Sequence, residues 1–439
     1  MIRKFLNILT LFFVSNIFSF PAGSLDTTFD GDGIAFVLID TLSQANALAI
    51  QPDQKIVPAG WAGESIGRRQ FALARLNSDG SLDTIFGTNG IVTTSIIPNQ
   101  PSQAFDVKID SNLKIVAAGV SGISVAQQRF ALARFNTDGS LDSTFGTNGV
   151  VSTDVSGGNS EQANGLAIQS DGKLVAVGFS TSAGVQRFSL VRYNSNGSLD
   201  SSFGTGGIVI TDVATGNDRA NDVVIQPDGK IVVVGLAGNN SGAVVRYNTD
   251  GSLDGTFGAG GIRTILFLGG TTTQFDAVTL QPDGKIVIIG TTNAIGTNHF
   301  AIVRLNSDGT FDTSFGNGAG FVIVDAGGID MGTGIGIQND GRIVFGGFST
   351  VGLLTLFVVG RLNKDGSLDT TFGNNGIVTT QIQTTALAND LALQKNGKIV
   401  LAGYSTASPD IFTLARYTVC PGIEFQGAIA AAIAEKYSL

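Results

Sequence analysis

The residues of this chain able to do chemistry are few, and carboxylates lead them. The stretch GSLDTTFDGDG, residues 23–33, sets Asp26, Asp30 and Asp32 among glycines, a spacing that could pass for a calcium loop. A second set comes from a block that first reads ANALAIQ. Aligning its copies gives a column of Asn46, Phe105, Asn164, Asn221, Asp276, Thr333 and Asn389. The next column is Ala47, Asp106, Gly165, Asp222, Ala277, Gly334 and Asp390. Asp106, Asp222, Asp276 and Asp390 are thus four carboxylates that could converge on one divalent cation, calcium being the hard ion that such ligands suit. The competing explanation is that Asn and Asp cap strand ends and turns.

Other chemistry is scarce. The single histidine, His299 in GTNHF, has no carboxylate or nucleophile beside it in sequence and reads as a solvated loop residue; histidine-rich metal sites are excluded by number. The single cysteine, Cys420, excludes an internal disulfide and has no basic helper nearby. Trp61, the only tryptophan, is followed by Arg68 and Arg69 in a stretch that varies strongly between copies. An exposed tryptophan with two arginines suits a partner contact; the alternative is a side chain filling its own sheet. The PDGK and SDGS glycines precede no helix, so no phosphate-cradling loop is expected. No catalytic set emerges.

What must position these residues is a repeat. The phenylalanine of GSLDTTF recurs as Phe29, Phe86, Phe145, Phe203, Phe257, Phe315 and Phe372, at intervals of 54 to 59 residues. Two further blocks, of the types QPDGKIVIIG and FALARLNSDG, also occur seven times in the same order. Each period holds four short apolar segments separated by Asp, Asn and Gly turns, as in IVTTSI, FDVKI, KIVAAGV and RFALARF. Four antiparallel strands per unit, seven units in a circle, is an all-β seven-bladed propeller. The chain enters at a GSLD block and leaves at FTLARYT without one. The last blade therefore takes its outer strand from residues 34–39, which closes the ring. The arginine of LAR and the aspartate of LD match in number, seven each, so an Arg–Asp pair is expected in every blade, Asp26 pairing with Arg416 across the closure.

The three blocks together resemble the delta-60 repeat family, bacterial repeats of about this period found in surface or secreted proteins and assigned to β-propellers. The resemblance covers about residues 24–419. It implies a propeller outside the cytoplasm and carries no activity with it.

Composition agrees. Hydrophobic residues make up 43% of the 439, charged residues only 14%, and glycine counts 60, which favours packed strands and glycine turns over disorder. The net charge of −9 argues against a nucleic-acid surface. Arg3 and Lys4 ahead of the apolar run Phe5–Val14, with Ser19 or Ala22 as cleavage positions, form a signal-peptide pattern over 1–22. The domain expectation is a propeller over 23–419 and a tail, 420–439, whose alanine-rich GAIAAAIAEKY suits a short helix. The functional expectation is an exported, monomeric binding or scaffold module for a protein or surface glycan, without nucleic acid, cofactor or a membrane span in the mature chain. The alternative is a propeller hydrolase or lyase with a divalent cation, such as calcium, in the central channel.

Overall fold

The computed structural model describes residues 21–122, 127–157, 160–406 and 409–419; most of the signal segment, Cys420 and the tail lie outside them. The described residues form seven four-stranded antiparallel sheets. In blade 1 the strands from the axis outward are Ser43–Ile50, Ile56–Ala62, Gln70–Ala74 and Ile91–Thr94. The inner strands of blades 2 to 7 are Ser102–Ile109, Glu161–Ile168, Arg219–Ile225, Thr273–Leu280, Ile329–Ile337 and Ala386–Leu393. Each packs on the inner strands of its two neighbours, and Ser43–Ile50 packs on Ala386–Leu393, so the ring is closed. Both faces of every blade are covered by other blades. This is why Ile56–Ala62 is buried at all seven positions and its sequence does not alternate.

Closure uses the two ends of the chain. Ile34–Val37 pairs with the C-terminal strand Asp410–Tyr417 as the outer strand of blade 7, in the register Ile34 to Ala415 and Val37 to Phe412. The expected domain boundary at 23 falls inside a bonded segment, Pro21 and Ala22 both accepting hydrogen bonds from the propeller. Ala22 is buried, and its carbonyl accepts the Gly373 N–H at 2.8 Å. The carbonyl of Asp138 accepts the Gly87 N–H in the same way at 2.7 Å.

Every inner strand carries a one-residue bulge at the same place, the position of Asn46, Phe105, Asn164, Asn221, Asp276, Thr333 and Asn389. The bulge explains the glycine that ends each KIVxxG segment. A Cβ added to Gly60 would sit on the Gln44 carbonyl, and one on Gly178 on the Gln162 carbonyl. The same overlap recurs in all seven copies.

Neighbouring strands are antiparallel, so the connections fall on two faces. The lower face carries the PDGK and GSLD turns. The upper face carries the links between second and third strands and those from each outer strand to the next blade.

Candidate functional site

On the lower face one arrangement repeats seven times. The arginine Nε of each blade meets the LD carboxylate at 2.6–2.8 Å, from Arg75–Asp83 in blade 1 to Arg416–Asp26 at the closure. The basic residue of PDGK reaches the same carboxylate oxygen at 2.6–3.1 Å, Arg342 standing where the other blades have lysine. This third member was visible in sequence as a column of basic residues, but nothing there tied it to the aspartate. Each guanidinium lies 4.4–4.7 Å from the centre of the LDxxF ring, and that ring is fully buried. It also donates to a backbone carbonyl of the next blade, as Arg304 does to Lys364 at 2.6 Å. Burial alone would raise these carboxyls. The lysine ammonium, a Ser or Thr hydroxyl and the arginine outweigh it and hold Asp142, Asp200, Asp254 and Asp312 well below the ordinary range. Seven copies of one triad join blade to blade.

At the axis the four expected carboxylates do not gather into a cation site. Asp106, Asp222 and Asp390 each accept two backbone N–H bonds, one from the following residue and one from the inner strand of the next blade. The cross-blade bonds are Leu166 N to Asp106 at 2.7 Å, Val278 N to Asp222 at 2.8 Å and Leu48 N to Asp390 at 2.8 Å. Lys108 supplies the cation, its Nζ lying 2.6 Å from Asp106 Oδ1. Burial alone would lower its pKa, but Asp106, Asp222 and Asp390 outweigh that and raise it. Burial pushes Asp222 up to about 6 and Asp390 to about 7, in each case against the pull of Lys108.

Asp276 belongs to the bulge column instead. There Asn46, Asn164, Asn221 and Asn389 donate side-chain amides to a carbonyl of the next inner strand at 2.7–2.8 Å, and Thr333 donates its hydroxyl at 3.0 Å. A carboxylate cannot donate. Asp276 Oδ1 accepts from Gln274 and Asn221, and Oδ2 is buried without a partner. Burial pushes this carboxyl up to about 7, against Gln274 and Arg219.

The expected tryptophan anchor is corrected. Trp61 is only 3% exposed, because it lies within the second strand of blade 1, where both sheet faces are covered. The Arg69 guanidinium stacks on it 3.6 Å from the ring centre. Arg68 is exposed and pairs with Glu64 at 3.1 Å. In the opening stretch, Asp30 and Asp32 are exposed turn residues, Asp32 accepting the Ile34 N–H at 2.8 Å.

His299 is corrected as well. It is 5% exposed rather than solvated. Its Nδ1 lies 3.2 Å from Asp330 Oδ2 and 3.4 Å from Asp325 Oδ1, and its Nε2 lies 3.2 Å from Thr297 Oγ1. Both carboxylates come from residues about thirty positions downstream, which is why the sequence around GTNHF gave no hint of them. Among the described residues this is the one group of three His, Cys, Asp or Glu side chains close enough to share a metal ion.

Around this group the upper face is apolar. Leu266, Leu268, Ile295, Ile329, Val351 and Leu353 are all exposed, Leu268 and Leu353 almost completely. All six lie between the blade 4–5 link and the upper hairpin of blade 6; Leu38 and Ile66 are exposed on the upper connections at blades 7 and 1. On the lower face the exposed aliphatics Ile85, Leu113, Leu199 and Leu253 are distributed over four blades.

Six stretches of the chain, residues 51–86, 114–145, 169–203, 226–257, 281–315 and 338–372, match the family described as "Domain of unknown function (DUF5122) beta-propeller". These matches support a β-propeller repeat family whose function is not defined. No curated protein matches the chain. Among solved structures it is similar to a protein of unknown function from Dyadobacter fermentans, at 13% identity and a TM-score of 0.45, over 88% of this chain and 98% of that one. It is also similar to the polysaccharide lyase Uly1, at 10% identity and 0.46, over 86% and 90%. A third is the sialidase of Trypanosoma rangeli, at 10% identity and 0.43, over 94% and 62%. Likenesses this distant concern the fold alone. No helix among the described residues is long and apolar enough to cross a membrane.

Proposed function

We propose that the chain is an exported binding module that holds a protein partner on the upper face of blades 5 and 6. One observation carries this reading: six of the eight exposed aliphatic side chains on the upper connections lie between the blade 4–5 link and the hairpin of blade 6, whereas those of the lower face are scattered. A contiguous apolar patch on an otherwise well-packed protein marks a contact surface, while isolated exposed leucines are ordinary. A glycan fits less well, since sugar sites favour exposed aromatic faces and the only tryptophan is buried. A hydrolase or lyase reading rested on four carboxylates meeting in the channel. Three of them instead bond neighbouring strands together, which supports a scaffold. Export rests on the Arg3–Lys4 and Phe5–Val14 pattern.

The test is site-specific photocrosslinking on the producing cells. A crosslinking residue placed at Leu268 or Leu353 is expected to trap one discrete protein, and the same residue at Leu199 on the lower face none. Equal trapping from both faces, or from neither, would overturn the reading.

A further inference from the structure

His299, Asp325 and Asp330 are one of three equivalent groups on the upper face. In each, a residue near the start of a third strand, five before the LAR arginine, faces an aspartate that follows the outer strand, and a buried carboxylate stands at the start of the next inner strand. Between blades 2 and 3 the residues are Arg129, Asp154 and Glu161, with Arg129 3.2 Å from Asp154. Between blades 3 and 4 they are Arg187, Asp212 and Asp218, with Arg187 3.3 Å from Asp212. The position therefore holds a fixed positive charge in two blades. In the third it holds histidine, whose ring nitrogen can offer a lone pair where a guanidinium cannot.

The buried carboxylates differ too. Glu161 uses both oxygens on the Val155 and Ser156 N–H groups and the Ser156 hydroxyl. Asp218 uses both on Val213, Ala214 and Gly238. Asp330 is fully buried. Its Oδ2 takes the Ala326 N–H at 2.9 Å, and the Ser349 hydroxyl also faces the carboxylate. Two carboxylates, one of them fully buried, thus face an imidazole nitrogen rather than a guanidinium.

From this we infer that His299 Nδ1, Asp325 Oδ1 and Asp330 bind a divalent first-row transition metal, zinc being the ion that the donors suit best. The edges of the group are the second argument. Four ligands held tetrahedrally at about 2.0–2.1 Å from zinc stand about 3.3 Å from one another. The Nδ1 atom stands 3.2 and 3.4 Å from its two carboxylate oxygens. Thr297 Oγ1 faces Nε2, so an Nε2–H donated to it would orient the ring and leave the Nδ1 lone pair for the metal. Asp325 is exposed, which gives the ion a path from solvent and leaves a fourth position for water or for a group of the bound partner.

Cobalt(II) and zinc titrations of the purified chain test this. The wild type is expected to take up one equivalent of cobalt with the visible absorption of a four-coordinate site, and zinc should displace it. Two variants separate metal binding from folding. His299→Arg restores the ion pair of blades 2 and 3, so it should melt within a few degrees of the metal-free wild type and show no cobalt band. Asp325→Asn should weaken cobalt binding at least tenfold while the fold is kept. The inference falls if the wild type shows no one-equivalent binding at 100 μM cobalt, or if His299→Arg binds as the wild type does.

Discussion

The lower and upper faces of this propeller are built by opposite rules. On the lower face an arginine, an aspartate and a second cation recur in every blade with distances that hardly vary, each arginine crossing to its neighbour. On the upper face the corresponding positions drift. Arginine stands in blades 2 and 3 where blade 5 has His299, and most exposed aliphatic side chains gather from the blade 4–5 link to blade 6. A group repeated seven times serves the ring, because a ring needs the same joint at every blade. A group found once serves something that arrives from outside. The axis stands between the two, with three aspartates in the joints and one lysine answering them.

Substitutions can break or sharpen this contrast. The largest loss is expected at a repeated position. Gly178→Ala would put a Cβ onto the Gln162 carbonyl at the bulge, and should cost about 3 kcal/mol or more in urea denaturation. Gly184, in an upper hairpin with open space around it, should cost only about 1 kcal/mol as alanine, from its positive φ. Similar losses at the two would erase the distinction. Next comes the joint itself. Asp26→Ala leaves the Arg416 guanidinium facing a buried vacancy, and Asp200→Ala does the same to Arg192; each should cost about 3 kcal/mol. Asp26 lies at the only joint held without chain continuity, so its variant should also aggregate on heating. If Asp200→Ala aggregates equally, the closure is no weaker than any other joint.

The smallest effect is a gain. Asp276 is the one bulge residue with a carboxyl where asparagine donates in four other blades. Its folded pKa of about 7 lies above the unfolded value, so the stability it contributes is complete below about pH 4 and is lost as pH rises through 7. Wild-type stability should therefore decline between pH 5 and 8. Asp222 and Asp390 add to the same decline, so Asp276→Asn should lessen it rather than abolish it, and add about 1–2 kcal/mol at pH 8. An unchanged slope in thermal melts across that range would refute the assignment.

The ring was legible because a repeat shows its own phase. The stray GSLD block at the start and its absence at the end place Ile34–Val37 on the last blade, and the structure has it there. Equal numbers of arginine and aspartate at constant spacing made the lower joints readable in outline. Individual sites were harder to see, for reasons of geometry. Trp61 lay in a variable stretch but at a strand position that both neighbouring blades cover. Asp276 fell one residue from the aspartate column, and a bulge turns one residue into a different direction. His299 meets its carboxylates only through the step from one blade to the next, a relation that spacing within a repeat does not carry.

The pairing of Ile34–Val37 with Asp410–Tyr417 also sets a timetable. The strand made first must wait unpaired until the strand made last has left the ribosome and, if the chain is exported, crossed the membrane. For that interval the molecule is an open arc with one bare sheet edge at its end. Whatever shields a four-residue strand during synthesis protects the whole circle, and a chain cut short anywhere before Asp410 has no edge for that strand to complete.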